Sequence, residues 1–136
     1  VQQDNEQAFK WLKLAAEQGD MMAQNNLGVM YRQGQGVAQD DVKAVGWYKL
    51  AAAGGCSIAQ ENLAYMYLQG QGIEKNNEEA LKWFKLAAEQ GLLSAQLELA
   101  NLYATGKGIA MDFVEALKWY KLAAEQGESL LQLRLG

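Results

Sequence analysis

Apolar and small residues recur along this chain at one fixed interval. The tryptophans are spaced 36 residues apart: Trp11, Trp47, Trp83 and Trp119. An Ala-Ala pair, a leucine, a tyrosine and a Gly-x-Gly element return at the same 36-residue interval without an insertion. Because many independent positions agree on one period, the sequence predicts a tandem repeat whose unit is a single supersecondary element.

Each period predicts two helices joined by a glycine-containing turn. The first helix, called A, is predicted over Met21 to Gln33, Ser57 to Gln69 and Leu93 to Thr105, where apolar residues recur every three or four positions. A Gly-x-Gly element follows each helix A. Glycine adopts the left-handed conformation of a helix C-terminus without steric cost, so these elements are predicted to end the helices.

The second helix, called B, is predicted to begin directly after a short polar residue: Asp4, Asp40, Asn76 or Asp112. Such side chains accept a free backbone N–H at a helix N-terminus. Glu79 and Glu115 follow three residues after the cap, as in a capping box. Helix B is apolar over a wide arc, which predicts that it lies between its own helix A and the next one. In the second copy this arc comprises Ala44, Val45, Trp47, Tyr48, Leu50, Ala51 and Ala52.

These patterns predict an all-α fold, an α-α superhelix (solenoid) of 36-residue helix-turn-helix repeats, with about three full repeats and a half-repeat at each end. The expected boundaries are a half-repeat with helix B alone at 1–19, full repeats at 20–55, 56–91 and 92–127, and the truncated start of a further repeat at 128–136. The last segment is apolar, with leucines at 130, 131, 133 and 135. We expect a piece of a longer protein, whose apolar ends could also self-associate.

Composition narrows the chemistry. The net charge is −4, and the lysines are spaced among glutamates. A nucleic-acid-binding surface instead clusters basic residues on one face, so we expect no nucleic-acid partner. The chain has no histidine and one cysteine, Cys56, which argues against Cys/His zinc sites, internal disulfides and a nucleophile–histidine pair. No apolar run has the length that spans a bilayer. The sequence therefore predicts no cofactor, no metal and no membrane insertion.

The pattern A-x3-L-G/A-x2-Y, G-x-G-V/I, then A-x2-W-x2-L-A-A-x2-G resembles the Sel-one-like repeat (SLR) family, a relative of the tetratricopeptide repeat. Residues 23–31 and 119–127 carry the resemblance clearly. It implies a right-handed superhelix with the A helices on the inner surface. It also implies an adaptor role, often in the bacterial envelope, periplasm or secretion, or in quality control in the endoplasmic reticulum; the compartment of this chain stays open, the cytoplasm included.

Two properties of relatives are not carried over. Some cysteine-rich relatives have a disulfide in every repeat, which a chain with Cys56 alone cannot form. A β-lactamase-like hydrolase activity attributed to some relatives is a remote alternative, because the chain contains no Ser-x-x-Lys. The Gly-x-Gly elements lack the third glycine of a nucleotide-binding loop and follow helices. Cys56 stands at a helix start, where a thiol can be activated, although an incidental thiol is favoured.

Candidate partner-binding residues come from comparing the copies with one another. Positions that are alike in every copy are predicted to build the scaffold, and positions that differ are free to specialise. In helix A the differing positions are spaced i, i+3, i+7 and i+10, a single stripe that is predicted to face the concave groove. The stripe comprises Met22, Asn25, Val29, Arg32, Ile58, Glu61, Tyr65, Leu68, Ser94, Leu97 and Asn101.

Tyr65 is the one tyrosine outside the repeated framework positions. It is expected to anchor a partner, because an aromatic side chain with an apolar patch and a polar rim is typical of binding hot spots. The alternative is that Tyr65 only packs on its neighbours. The leading hypothesis is a protein-interaction scaffold that binds a peptide or protein segment, and the alternative is a structural spacer or self-associating array.

Overall fold

The computed structural model describes the backbone of residues 2–135 and the side chains of residues 4–128. Within that part, the chain forms seven α-helices and no strand. The helices are α1 (Gln2–Glu17), α2 (Met21–Gln33), α3 (Asp41–Ala53), α4 (Ser57–Gln69), α5 (Asn77–Glu89), α6 (Leu93–Thr105) and α7 (Phe113–Leu135). The even-numbered helices are the predicted A helices, with their predicted bounds, and the odd-numbered helices are the B helices.

Each helix packs mainly against the helices before and after it in the chain, which produces an α-solenoid. The interior B helices α3 and α5 therefore lie between two A helices, as the wide apolar arc predicts. Side chains at repeated positions fill the core: Leu27, Leu63 and Leu99 are fully buried, and so are the alanines at 44 and 80. The predicted all-α fold class is confirmed.

The predicted helix ends are confirmed in the interior repeats. Gly34 ends α2 with φ +71°, and its N–H donates to the carbonyl of Met30. The side chains of Asp40 and Asn76 accept the backbone N–H groups of Lys43 and Glu79 at 3.1 Å. The reciprocal half of the capping box does not form, because the backbone N–H of Asn76 donates 3.0 Å to the carbonyl of Tyr67 instead.

Both outer helices differ from the sequence prediction. Helix α1 begins at Gln2, so Asp4 lies in its first helical turn and not at the N-cap; a carboxylate is favourable there too, near the positive end of the helix dipole. Helix α7 continues through Gly127, whereas the equivalent Gly55 has φ +99° and turns the chain.

The repeat boundaries stay a prediction, and the side chains of the apolar segment 129–136 lie outside the described residues. Two framework positions are more exposed than predicted. Leu50 is 56% exposed, because α3 packs on two sides only. Trp11 is 70% exposed whereas Trp119 is buried, because α1 packs against the A helix that follows it, whereas α7 packs against the A helix that precedes it.

A repeated hydrogen bond joins each A helix to the preceding B helix. In all three copies a buried glutamine amide donates to the carbonyl of an alanine in the last turn of the B helix, at 3.1 to 3.2 Å. The pairs are Gln24–Ala16, Gln60–Ala52 and Gln96–Ala88. Each of these carbonyls also accepts the backbone N–H of the glycine three residues later, so the glutamine is a second donor to the same oxygen and ties neighbouring repeats together.

Candidate functional site

The predicted stripe is only partly at the surface. Five of its residues are exposed, five are half-buried and one is buried. The exposed residues are Met22, Ile58, Ser94, Leu97 and Asn101. The half-buried residues are Val29, Arg32, Glu61, Tyr65 and Leu68, and the buried residue is Asn25.

Asn25 does not face an open groove, contrary to the sequence expectation. It is 3% exposed, and its Oδ1 accepts a hydrogen bond of 2.9 Å from Nδ2 of Asn62 on α4. Val29 packs against the core formed by α1 to α4. Both residues lie where neighbouring A helices meet, because successive repeats approach more closely than a single-helix projection shows. Asn25 therefore serves packing between the repeats, and Val29, which is half-buried, contributes to the core beside it.

Other stripe residues also contact the next A helix. The Ser94 hydroxyl donates 2.6 Å to Glu61, and the Tyr65 hydroxyl donates 3.3 Å to Glu98. The Tyr65 ring also packs edge-to-face on Phe84, with 5.0 Å between ring centroids. Burial, followed by the charges of Glu98 and Glu61, raises the pKa of Tyr65 to about 12. Tyr65 is thus engaged within the molecule, as its packing alternative describes.

The contacts between repeats recur at equivalent places, and the two formed by the interior repeats are called the first and the second junction. A further equivalent place lies where Gly36 approaches Asn5 of α1, and it has a depression of its own. The first junction comprises Arg32, Gln39, Asp41, Tyr65 and Gln71, and the second comprises Leu68, Lys75, Asn77, Asn101 and Lys107, each 36 residues further on. In each junction the loop after an A helix meets the first residue of the preceding B helix. A Cβ at Gly72 would lie 2.3 Å from the carbonyl oxygen of Asp41, so only glycine allows this approach.

The first junction is occupied by its own side chains. Nη2 of Arg32 donates 3.4 Å to Oε1 of Gln71, across the two repeats. Gln39 donates 2.7 Å to Asp41. The ring of Tyr65, at the position of Asn101, packs on Phe84 of α5. Four polar side chains of this junction are therefore paired with one another: Arg32 with Gln71, and Gln39 with Asp41.

The second junction contains an open depression of about 600 Å³. Its lining combines apolar, amide and charged side chains: Leu68, Lys75, Asn77, Glu98, Asn101, Leu102, Thr105, Lys107 and Gly108. Asn101 stands where the first junction has Tyr65, and Leu68 stands where it has Arg32. The smaller and shorter side chains leave the space open.

Of the predicted stripe, the depression brings together only Leu68 and Asn101. Sequence reasoning missed Lys75 and Lys107, because it compared the copies within helix A and not in the loops. The signal was present, since Lys75 matches Gln39 and Met111, and Lys107 matches two glutamines. Asn101 also accepts a hydrogen bond from the hydroxyl of Tyr120 on α7, which holds its side chain against that helix.

The remaining candidate is Cys56. It is buried at the N-cap of α4, makes no side-chain capping bond, and places Sγ 3.8 Å from Sδ of Met22. Among the described residues, no group of three or more acidic or cysteine side chains is arranged to hold a metal ion. The described helices also include none with the length and apolar character needed to cross a bilayer.

Comparison with solved structures finds close relatives. A protective antigen of uropathogenic Escherichia coli strains that displays an SLR fold is 47% identical over 87% of this chain, with a TM-score of 0.83. A Sel1 repeat protein from Oxalobacter formigenes is 38% identical over 90% of the chain, with a TM-score of 0.84. Cysteine-rich protein B of Helicobacter pylori is 30% identical over 64% of this chain and 65% of its own, with a TM-score of 0.62.

The chain spans 25% of the Escherichia coli protein and 50% of the Oxalobacter formigenes protein. No curated protein sequence matches it at a significant level. The Sel1 repeat model matches residues 1–20, 22–56, 57–92 and 93–128, which together cover most of the chain. The resemblance indicated by the tryptophan, alanine and glycine spacing is therefore confirmed, and the chain belongs to the Sel1-repeat family.

Proposed function

We propose that this chain is a protein-interaction scaffold that binds an extended peptide or protein segment along the exposed surface of its A helices. A Sel1-repeat solenoid is typically a non-catalytic scaffold. The observation that carries the proposal is the set of non-repeating, exposed residues on α4 and α6 next to the open second junction. Scaffold positions repeat in every copy, whereas these positions do not.

Apolar side chains on this surface supply the binding energy. Ile58 and Leu97 are each 41% exposed, and Leu68 lines the depression near the end of α4. Ser94, Glu61 and Asn101 add polar groups around this patch. Burying the exposed part of two such side chains contributes about 1–3 kcal/mol to binding, a contribution on the scale of an interface hot spot.

The experiment compares two double variants with the wild type in binding to peptides selected from a random display library. Ile58→Ser/Leu97→Ser removes the apolar groups of the A-helix surface. Leu50→Ser/Leu86→Ser is the matched control, because these leucines are 56% and 37% exposed and lie on the B helices. Tyr65 is not substituted in this test, because its ring packs on Phe84 and its replacement would also lower the stability of the fold.

We expect the selected peptides to bind the wild type and the B-helix control with similar affinity and to lose most of their affinity for Ile58→Ser/Leu97→Ser. Circular dichroism should show the same helical content in all three proteins. Equal binding to both double variants would refute the A-helix surface as the binding site. A native partner captured from cells should likewise bind the wild type and the B-helix control and lose most of its affinity for Ile58→Ser/Leu97→Ser.

A second candidate is self-association through the outer helices. Helix α7 packs against α6 alone and leaves Phe113, Val114 and Leu117 more than two-thirds exposed, and α1 leaves Trp11 exposed in the same way. Apolar patches of this kind mark association surfaces. Light scattering over a concentration series tests it: growth that is lost in Leu117→Ser favours self-association, and a constant monomer mass excludes it.

A further inference from the structure

The lysines of this protein are not distributed evenly over its surface. All of them except Lys75 and Lys107 lie on the B helices. Lys75 and Lys107 lie in loops of successive repeats, both are exposed, and both line the depression at the second junction. The equivalent residues at the first junction are Gln39 and Gln71, which are neutral.

The charge at this depression is opposite to that of the protein as a whole. Its lining holds two lysines and one carboxylate, Glu98, whereas the chain carries −4. Glu98 accepts the hydroxyl of Tyr65, so part of its hydrogen-bonding capacity is already used. A local pair of cations in an acidic protein attracts an anionic group to this place more than to the rest of the surface.

The other residues that line the depression indicate what kind of molecule carries the anionic group. Leu68 and Leu102 offer apolar contact, and the amides of Asn77 and Asn101 offer polar partners. Leu97 is exposed one helical turn before Asn101, so the apolar surface continues from the depression along α6. An elongated ligand with alternating apolar and acidic side chains fits this arrangement better than a small anion does.

We propose that the second junction binds a glutamate or aspartate side chain of an extended peptide whose neighbouring residues are apolar. This inference rests on the proposed scaffold function and specifies the chemistry of its ligand. The carboxylate lies between Lys75 and Lys107, and an adjacent apolar side chain packs on Leu68 and Leu97. The first junction does not bind it, because glutamines stand in place of both lysines and are paired with Arg32 and Asp41.

The test is a titration of the full chain, labelled with ¹⁵N, with synthetic peptides followed by NMR. The probe contains Leu-Glu-Glu-Leu between Gly-Ser flanks, acetylated and amidated so that it has no terminal carboxylate. A second peptide replaces both glutamates by glutamine. A third is the glutamine peptide with a free C-terminus, which separates side-chain carboxylates from chain ends.

We expect the glutamate peptide to shift the backbone resonances of Lys75, Asn101 and Lys107 and to bind about tenfold more tightly than either glutamine peptide. Its affinity should fall as salt rises, because exposed charges are screened. Lys75→Gln/Lys107→Gln should lower the affinity about tenfold, and Asn101→Tyr should abolish binding by filling the depression. Lys49→Gln/Lys121→Gln, the matched control on the B helices, has the same net charge change and should stay within about twofold.

Three results would overturn the inference: equal affinity for the glutamate and glutamine peptides, no loss in Lys75→Gln/Lys107→Gln, or binding of the free C-terminus alone. The scaffold function and the carboxylate site can be refuted by different results. If display-selected peptides depend on Ile58 and Leu97 but not on the two lysines, the scaffold stands and the carboxylate site does not. If no peptide binds the A-helix surface, both are wrong.

Discussion

The first and second junctions occupy equivalent places in successive repeats, and they differ in what fills them. At the first junction, Tyr65 packs on Phe84 and Arg32 donates to Gln71 across the repeats. At the second, Asn101 and Leu68 stand at the same two positions, and a depression of about 600 Å³ remains. Helices α2 to α6 all have 13 residues, and α3 and α5 begin at equivalent N-caps, Asp40 and Asn76.

This difference shows how a repeat protein separates stability from recognition. The alanines, leucines and buried glutamines that couple the repeats are alike in each copy, so an exchange at a variable position leaves these scaffold contacts in place. A large side chain closes a junction, and a small one opens it. We infer that the departures from the repeat, and not the repeat itself, encode the binding site.

Substitution of the loop glycines is expected to have the largest effect on stability, and it allows a direct comparison of the two junctions. Gly72 has φ +71° and a Cβ there would meet the backbone of Asp41 at 2.3 Å, whereas at Gly108 the nearest atoms belong to the side chain of Asn77. A side chain can rotate away and a backbone cannot. We expect Gly72→Ala to cost about 2–4 kcal/mol of unfolding free energy and Gly108→Ala about 1–2 kcal/mol.

Urea denaturation followed by circular dichroism measures both variants under the same conditions. An equal loss of stability in the two proteins would show that the glycines are required only for their positive φ, and not for the close approach to the preceding repeat.

Most of the scaffold could be predicted from the sequence, because it depends on local signals. The helix bounds follow from the glycine turns and the Asp or Asn caps, and both are satisfied by neighbours within a few residues. The contacts between repeats could not be predicted in this way. The glutamine bonds to Ala16, Ala52 and Ala88 depend on how one hairpin approaches the next.

The candidate site was predicted less completely, for a related reason. A helical projection separates core from surface, but it does not show which surface residues the next repeat covers. Asn25 and Val29 therefore fell on the predicted stripe although they pack between helices, and Tyr65 proved to contact Phe84. Lys75 and Lys107 lie in loops, where helical periodicity carries no information.

Tyr65 and Asn101, at equivalent positions, should differ in their contribution to stability. Tyr65→Ala removes an edge-to-face aromatic contact and a hydrogen bond to Glu98, and we expect a loss of about 1–3 kcal/mol. Asn101→Ala removes an exposed hydrogen bond with Tyr120, and we expect a loss under about 0.5 kcal/mol. Urea midpoints of the two variants test this, and similar losses would mean that the first junction is no better packed than the second.

A smaller effect should be visible in the titration of Tyr65. Burial is the main cause of its pKa of about 12, and Glu98 raises the pKa further. Glu98→Gln removes the neighbouring charge and should lower this pKa, although not to the ordinary value of 10.0, because burial remains. The pKa can be followed by the ¹³C resonance of the ring carbon that bears the hydroxyl.

The raised pKa of Tyr65 also makes the stability of the protein depend on pH. The folded protein holds the Tyr65 proton more tightly than the unfolded chain, so the contribution to stability is present below pH 10.0 and is lost as the pH rises towards about 12. In Glu98→Gln the loss should be smaller over that range. An unchanged pKa in Glu98→Gln would show that the carboxylate does not act on the hydroxyl.

The most direct test of the central claim is to give the first junction the residues of the second and to count the peptide-binding sites. The variant carries six substitutions at equivalent positions: Arg32→Leu, Gln39→Lys, Asp41→Asn, Glu61→Leu, Tyr65→Asn and Gln71→Lys. Isothermal titration calorimetry with the acetylated and amidated Leu-Glu-Glu-Leu peptide gives the stoichiometry. We expect one site in the wild type and two in the variant; a folded variant that still binds one peptide or none would contradict the claim that these departures from the repeat create the site.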